Sequence, residues 1–307
     1  MGKNGERFCK EGIFAGKRAL VVGGSGGIGR AVAMGLALRG ASVIITGGNS
    51  EERLEKTLAE LNAMSIISRR DAKNAKEGED HVSYVQSSAN FAPWREKIGD
   101  ESSQKLMHMS PGQEKMEHSG FLCKIGGAEG LSPEKAASFI LEKAGSPDIL
   151  VLSWGPFKKI ALQDSKPEDW RFLVENNLIF PGIIVSLVLC NMVKKGWGRI
   201  VLFGGTKTAD IRGFSETTAY STAKTALGTL AKSVAKSAGN AGISCNVICP
   251  GLAATEYSGQ EDLAYSREKN PGGKALTAEE IAGCALVTLE SSVINGAIIP
   301  ADAGLWV

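Results

Sequence analysis

The sequence predicts an α/β protein in which a doubly wound parallel sheet lies between two layers of helices. Three observations predict it. Short apolar runs at 18–22, 42–46, 121–125, 148–153, 199–203, 244–248 and 297–301 alternate with stretches of helical apolar spacing at 28–39, 51–62, 133–143, 167–195, 219–238 and 278–290. Most of the runs are apolar throughout rather than alternating, which is the pattern of strands buried on both faces of a parallel sheet. A glycine-rich turn joins the first run to the first helical stretch. In open α/β sheets the ligand crevice lies there, at the carboxyl ends of the strands.

Taken in order, the first run ends at Val22 and passes through Gly23-Gly24-Ser25-Gly26-Gly27-Ile28-Gly29 into Arg30-Ala31-Val32-Ala33. Glycines let the backbone turn sharply and approach a pyrophosphate, and the helix behind them offers free N–H groups and the positive end of its dipole. A glycine cluster alone is often only a tight turn; between a strand and a helix it has the context that dinucleotide binding requires. Gly23, Ser25, Gly27, Ile28 and Gly29 are therefore candidate cofactor contacts. The second run closes on Thr46-Gly47-Gly48-Asn49-Ser50, with no carboxylate to accept from a ribose 2′-hydroxyl and Arg53 as the nearest arginine. Without that carboxylate a 2′-phosphate meets less repulsion, so the expected cofactor is NADP or NAD, with NADP favoured.

Residues 71–119 break the alternation. They are polar, charged and rich in Ser, Gly, Lys and Met. Low hydrophobicity limits what such a stretch can bury, so a partly ordered surface insertion is expected. His81, His108 and His118 fall here without the spacing of a compact metal site and read as solvated; Val82, Tyr84 and Val85 have the pattern of a short edge strand. No metal is expected. The chain is otherwise read as one dinucleotide-binding domain spanning 1–307.

Composition narrows the class. In 307 residues, 35 basic and 33 acidic side chains leave a formal net charge of +2, with no basic block to suit nucleic acid or an anionic membrane. The six cysteines are scattered, mostly among apolar residues, and suit packing better than a disulfide framework. The N-terminus shows no apolar h-region. The longest apolar stretch, 180–193, is short of the ~20 residues of a membrane span and contains Pro181 and Asn191. A cytoplasmic protein is expected.

Tyr220-Ser221-Thr222-Ala223-Lys224 opens a helical stretch. A spacing of four puts Tyr220 and Lys224 on one face, a turn apart. A phenol with a pKa of ~10 is a poor proton carrier near neutrality, but a neighbouring ammonium and an oxidised nicotinamide both favour the phenolate. The blander account is a surface lysine beside a tyrosine.

With these residues in view, the chain resembles the short-chain dehydrogenase/reductases along nearly its whole length outside the insertion. Gly23–Gly29 is similar to that family's glycine motif, with Val22 in place of its threonine, and Tyr220 to Lys224 matches its YxxxK. The resemblance implies a Rossmann fold in three α/β/α layers. It also implies a helix asparagine, Asn177, that supports a water in the proton relay; a nicotinamide-holding segment of Pro250, Gly251 and Thr255; and a C-terminal strand near Asn295-Gly296 and Asp302-Ala303-Gly304. Glu129 falls near the family's adenine-contacting aspartate. Two departures stand out. The family's Asn-Asn-Ala-Gly is here Leu152-Ser153-Trp154-Gly155, which keeps only Gly155, and glycine occupies the position of the catalytic serine in Phe203-Gly204-Gly205-Thr206-Lys207-Thr208. Thr206 is the expected stand-in, with Thr208 second.

What this implies is an NAD(P)-dependent oxidoreductase moving a hydride between nicotinamide and a carbonyl or secondary alcohol, with 3-oxoacyl reduction as the default by analogy. The substrate is expected to meet the 252–274 loop, Trp154 and Phe157. A homodimer or homotetramer through the apolar faces of 180–193 and 226–234 is implied as well. The alternative is a catalytically impaired nucleotide sensor or scaffold; an assembly role carried by the insertion is a further one.

Overall fold

The computed structural model describes residues 12–74, 118–127 and 129–305. Its strands and helices are, in order, β1 (Arg18–Val22), α1 (Gly27–Leu38), β2 (Ser42–Gly47), α2 (Glu51–Asn74), β3 (Ser119–Leu122), α3 (Pro133–Ala144), β4 (Ile149–Leu152), α4 (Pro167–Val174), α5 (Phe180–Lys195) and β5 (Gly198–Phe203). They continue with α6 (Thr218–Ala238), β6 (Ile243–Pro250), β7 (Ala253–Ala254), α7 (Gln260–Lys269), β8 (Leu276–Thr277), α8 (Ala278–Glu290) and β9 (Ile298–Ala301). Seven strands form one parallel sheet in the order β3-β2-β1-β4-β5-β6-β9, and β7 pairs with β8 apart from it. This is the doubly wound architecture expected from the run-and-helix alternation.

The non-alternating strand sequences are explained by the two cores. Successive side chains of a strand point to opposite faces. Val21, Val43, Ile45, Val151, Val201 and Ile248 face a core closed by α1, α2 and α8. Leu20, Val22, Leu150, Leu152, Ile200 and Val247 face a second core closed by α3, α5 and α6. Strand order reverses at β1, which has β2 on one side and β4 on the other. The crevice of the fold therefore opens where β1 and β4 end.

Three expectations change. Helix α2 runs twelve residues past Asn62, to Asn74, and His118 and Ser119 already belong to the fold, so the insertion narrows from 71–119 to 75–117. His81, His108, Val82, Tyr84 and Val85 lie outside the described residues. His118 is not solvated: it is buried, and its Nδ1 accepts a hydrogen bond from Val43 N–H at 3.1 Å. A neutral imidazole is both donor and acceptor, so it can close a strand edge where an aliphatic side chain cannot. The third strand occupies 119–122 rather than 121–125, and Ile125 makes only an isolated bridge to Leu131.

The helical stretch 167–195 is not uniform. Between α4 and α5 one wide turn of π-helix, Glu175–Ile179, interrupts it. By length and composition Pro167–Lys195 is long and apolar enough to cross a membrane. Here Phe180, Ile184, Val185, Val188 and Met192 are spent on the core beside α3 and α6.

Candidate active site

The site is assembled where β1, β4 and β5 end. Gly23 follows β1 with φ +82°, a left-handed conformation that favours glycine, and a Cβ there would meet Trp154 at 2.9 Å. Its N–H donates to Thr46 Oγ1 at 3.2 Å. Ser25 O accepts from Thr57 Oγ1 at 3.3 Å, and Ser25 Oγ lies 3.3 Å from where a Cβ on Gly47 would sit. The turn is thus clasped by β2 and α2. Ile28 packs against the core, and Gly29 lets α1 approach Gly23 O and Ser153 Oγ.

Ser153 was missed at the sequence level. Its hydroxyl donates to Val22 O at 3.0 Å and Gly23 O at 3.3 Å. It thereby ties the end of β4 to the start of the glycine turn. The signal available in the sequence is a hydroxyl in the first position after an apolar strand.

The fold brings Tyr220, Lys224, Asn177 and Gly155 together. Lys224 is buried on α6, and its Nζ donates to Phe203 O, at the end of β5, at 2.8 Å. A Cβ on Gly155 would lie 3.0 Å from Lys224 Nζ and 2.3 Å from Asn177 Oδ1, so both polar atoms converge on one spot. The π-turn is the reason Asn177 reaches it. A wide turn shifts the phase of the helix and directs both Asn176 and Asn177 inward, nearly without exposure. Asn177 Nδ2 donates to Pro156 O at 2.9 Å and Leu173 O at 3.0 Å, which anchors the amide. Its Oδ1 is buried and without a partner among the described residues. An acceptor left open in this way beside an ammonium is suited to a water or a ligand hydroxyl.

Tyr220 is half-buried, with its ring centroid 5.9 Å from Lys224 Nζ and 5.0 Å from the exposed ring of Phe157, edge to face. Desolvation pushes the phenol above its ordinary pKa, with a smaller contribution from the Cys249 sulfur. Desolvation also lowers Lys224 to about 8. In the chain alone the ammonium therefore does not bring the phenol down, contrary to the expectation from sequence. Desolvation disfavours the charged form of each group, raising the phenol and lowering the ammonium.

Gly205 stands where the family resemblance places a serine. A Cβ there would lie 2.9 Å from Tyr220 Cε1 and 3.1 Å from its Oη, so the phenol rests against bare backbone. Thr208 is buried, and its hydroxyl accepts from Gly205 N at 2.8 Å and donates to Gly205 O at 2.9 Å. That closes the loop and commits the hydroxyl. Thr206 is partly exposed in the same loop and makes no hydrogen bond among the described residues.

Pro250 ends β6, and Gly251 N–H donates to Ala301 O at 3.0 Å, fixing the start of the following segment. Thr255 reaches the glycine turn: a Cβ on Gly27 would find its methyl at 3.7 Å. Glu129 lies apart. Its exposed carboxylate is ion-paired with Lys124, which lowers its pKa. Among the described residues no cluster of His, Cys, Asp and Glu could hold a metal ion.

Comparison with known proteins identifies the family. Residues 127–306 match the family profile described as enoyl-(acyl carrier protein) reductase, and residues 17–90 match that of short chain dehydrogenases. The 3-oxoacyl-[acyl-carrier-protein] reductase FabG of Escherichia coli is 26% identical over 298 residues, covering 95% of this chain and 98% of that protein. A putative oxidoreductase of Bacillus subtilis, YtkK, is 30% identical over 179 residues, covering 56% of this chain and 70% of its own length. A solved 3-oxoacyl (acyl-carrier-protein) reductase from Agrobacterium tumefaciens with NADP bound superposes with a TM-score of 0.68 at 23% identity, covering 94% of this chain and 93% of that one. The chain belongs to the short-chain dehydrogenase/reductases and is an NAD(P)-dependent oxidoreductase of that family.

Proposed function

We propose that this oxidoreductase reduces a 3-oxoacyl thioester or a related ketone, with NADP favoured over NAD. The convergence of Tyr220, Lys224 and Asn177 at the ends of β4 and β5 carries the reading. A nicotinamide dinucleotide fits the residues present: Gly26 and Gly27 carry no side chain at the start of α1, so its N–H groups can meet a phosphate once Glu256 and Tyr257 stand aside, and Asn177 Oδ1 is an acceptor without a partner among the described residues. Gly23, Ser25, Gly27, Ile28 and Gly29 would hold its phosphates, and Gly155, Pro250, Gly251, Thr255 and Lys224 its nicotinamide end. When bound, it supplies the hydride.

The chain's own residues do the rest. Tyr220 holds a proton at Oη and gives it to the developing alkoxide oxygen. Its raised pKa keeps that proton in place until charge develops. Thr206, in the loop after β5, would be the second donor to the same oxygen through its hydroxyl. Lys224 positions the ribose and, with Asn177 Oδ1, forms the path that returns a proton to Tyr220. The 3-oxoacyl assignment follows the acyl-carrier-protein reductases among the relatives, and NADP follows the uncharged end of β2 together with the NADP-bound neighbour. A cytoplasmic homodimer or homotetramer is proposed with it.

Tyr220→Phe is expected to lower kcat by at least about a hundredfold while cofactor affinity, measured by fluorescence titration, is unchanged; wild-type turnover in that variant rejects the mechanism. A second reading, a nucleotide sensor or scaffold with impaired catalysis, is favoured by one observation, the absence of a hydroxyl at Gly205. Cofactor binding with no turnover across a panel of ketones and alcohols would select it.

A further inference from the structure

The segment after β6 carries a negative charge onto the glycine turn. Glu256 Oε1 accepts a hydrogen bond from Gly27 N–H at 2.8 Å. A Cβ on Gly26 would meet Glu256 Oε1 at 2.3 Å and Tyr257 Oη at 2.5 Å, and one on Gly27 would find Tyr257 Cε2 at 3.5 Å. Carboxylate and phenol therefore fill the hollow that the missing side chains leave. The segment is also fastened there from two sides. Arg53, in the first turn of α2, lies over the Tyr257 ring at 5.2 Å from its centroid. Ser258 Oγ accepts from Thr255 N–H at 3.0 Å and donates to Ala253 O at 2.5 Å, while Tyr257 N–H donates to Thr255 Oγ1 at 3.3 Å. Glu256 is thus presented by a folded turn.

A carboxylate and a phosphate are alike at such a place. Both are anionic oxygen acceptors, and both are favoured by the positive end of a helix. Resting on the reading of this turn as the cofactor's phosphate cradle, we propose that Glu256 is a built-in stand-in for the dinucleotide pyrophosphate. The 252–274 strap then has to withdraw it before NAD(P) can bind. One N–H of Gly27 cannot serve both anions, and Gly26 leaves room for only one of them. The apparent dissociation constant is the intrinsic one divided by the fraction of chains with the strap lifted. Cofactor entry and movement of the strap that borders the substrate side become one event.

The test uses the intact chain and titrates NADPH, followed by its fluorescence, into wild type, Glu256→Gln and Glu256→Ala. Glu256 is exposed and its carboxylate bonds the backbone N–H of Gly27, so both variants are expected to fold, as circular dichroism would show. Removing the charge should tighten NADPH by about three- to tenfold, the size of a carboxylate–dipole contact at a helix start. Inorganic pyrophosphate should gain affinity by a similar factor. Equal or weaker binding in both variants overturns the proposal. If none of the three proteins binds NADPH or NADH at millimolar concentration, the phosphate-cradle reading itself fails, a result distinct from equal affinities.

Discussion

Burial takes Lys224 down to about 8, and that value has consequences that can be measured. The ammonium is the form that can position a ribose and donate a proton, and it is present below about pH 8 and lost above. In the direction of carbonyl reduction Tyr220 must carry its proton, and desolvation keeps that proton on well above this range. The alkaline limb of kcat/KM, which reports groups of the free enzyme, is therefore expected near pH 8 and belongs to Lys224. Lys224→Arg, whose guanidinium stays charged, should lose that limb even if its rate is low. A limb unmoved near pH 8 in that variant would assign it elsewhere. The same shift acts on stability. Between about pH 8 and the ordinary 10.5 the unfolded chain binds the proton that the folded chain has released, so this group makes folding more favourable as pH rises through that window. At this scale the spacing of Tyr220 and Lys224 puts them on one helical face, and the family resemblance, not the spacing, marks them as a candidate pair. Ser153 and Glu256 were not legible, because each acts on backbone more than a hundred residues away in sequence.

At the scale of elements, the turn between α4 and α5 shows how a local irregularity serves the site. Periodicity over 167–195 predicts one helix, and a regular α-helix would turn Asn177 away from its present direction. A one-residue change of phase leaves almost no mark on apolar spacing, so sequence did not reveal it. The end of α2 was hidden for a different reason: past Ile67 the segment Ser-Arg-Arg-Asp-Ala-Lys-Asn holds no large apolar residue to mark a helical stripe. Helix starts were clearer. Thr277 opens α8 with a capping box, its Oγ1 accepting from Glu280 N–H at 3.1 Å while Glu280 accepts from Thr277 N–H at 2.9 Å. Helix α8 packs closely on α1, where Gly35 leaves room for Leu286. Thr277→Ala should therefore cost about 1 kcal/mol in urea unfolding. An unchanged midpoint would show that the box adds nothing to the folded state.

For the whole molecule, the question is which apolar surface is left over after the sheet has been covered. The faces at 180–193 and 226–234 were expected to seek a partner, but Phe180, Ile184, Val188, Leu227, Ala231 and Val234 are consumed by the chain's own core. Ile179, Leu187 and Val193 remain exposed along α5 and its entry. If copies of the chain associate through this face, Leu187→Glu should shift the mass measured by light scattering towards the monomer while the far-UV spectrum stays the same. An unchanged oligomer would place the contact elsewhere. Sequence by itself determined the sheet, its covering helices and the glycine turn, and placed Tyr220 and Lys224 on one helical face, because apolar period, glycine content and a four-residue spacing are local properties of a chain. Only the tertiary structure decided what meets at the crevice: the open oxygen of Asn177, the hydroxyl of Ser153 on the turn, the phenol against bare Gly205 and the carboxylate of Glu256 on Gly27. Those contacts join segments that are distant along the chain, and their distances follow from how the layers pack.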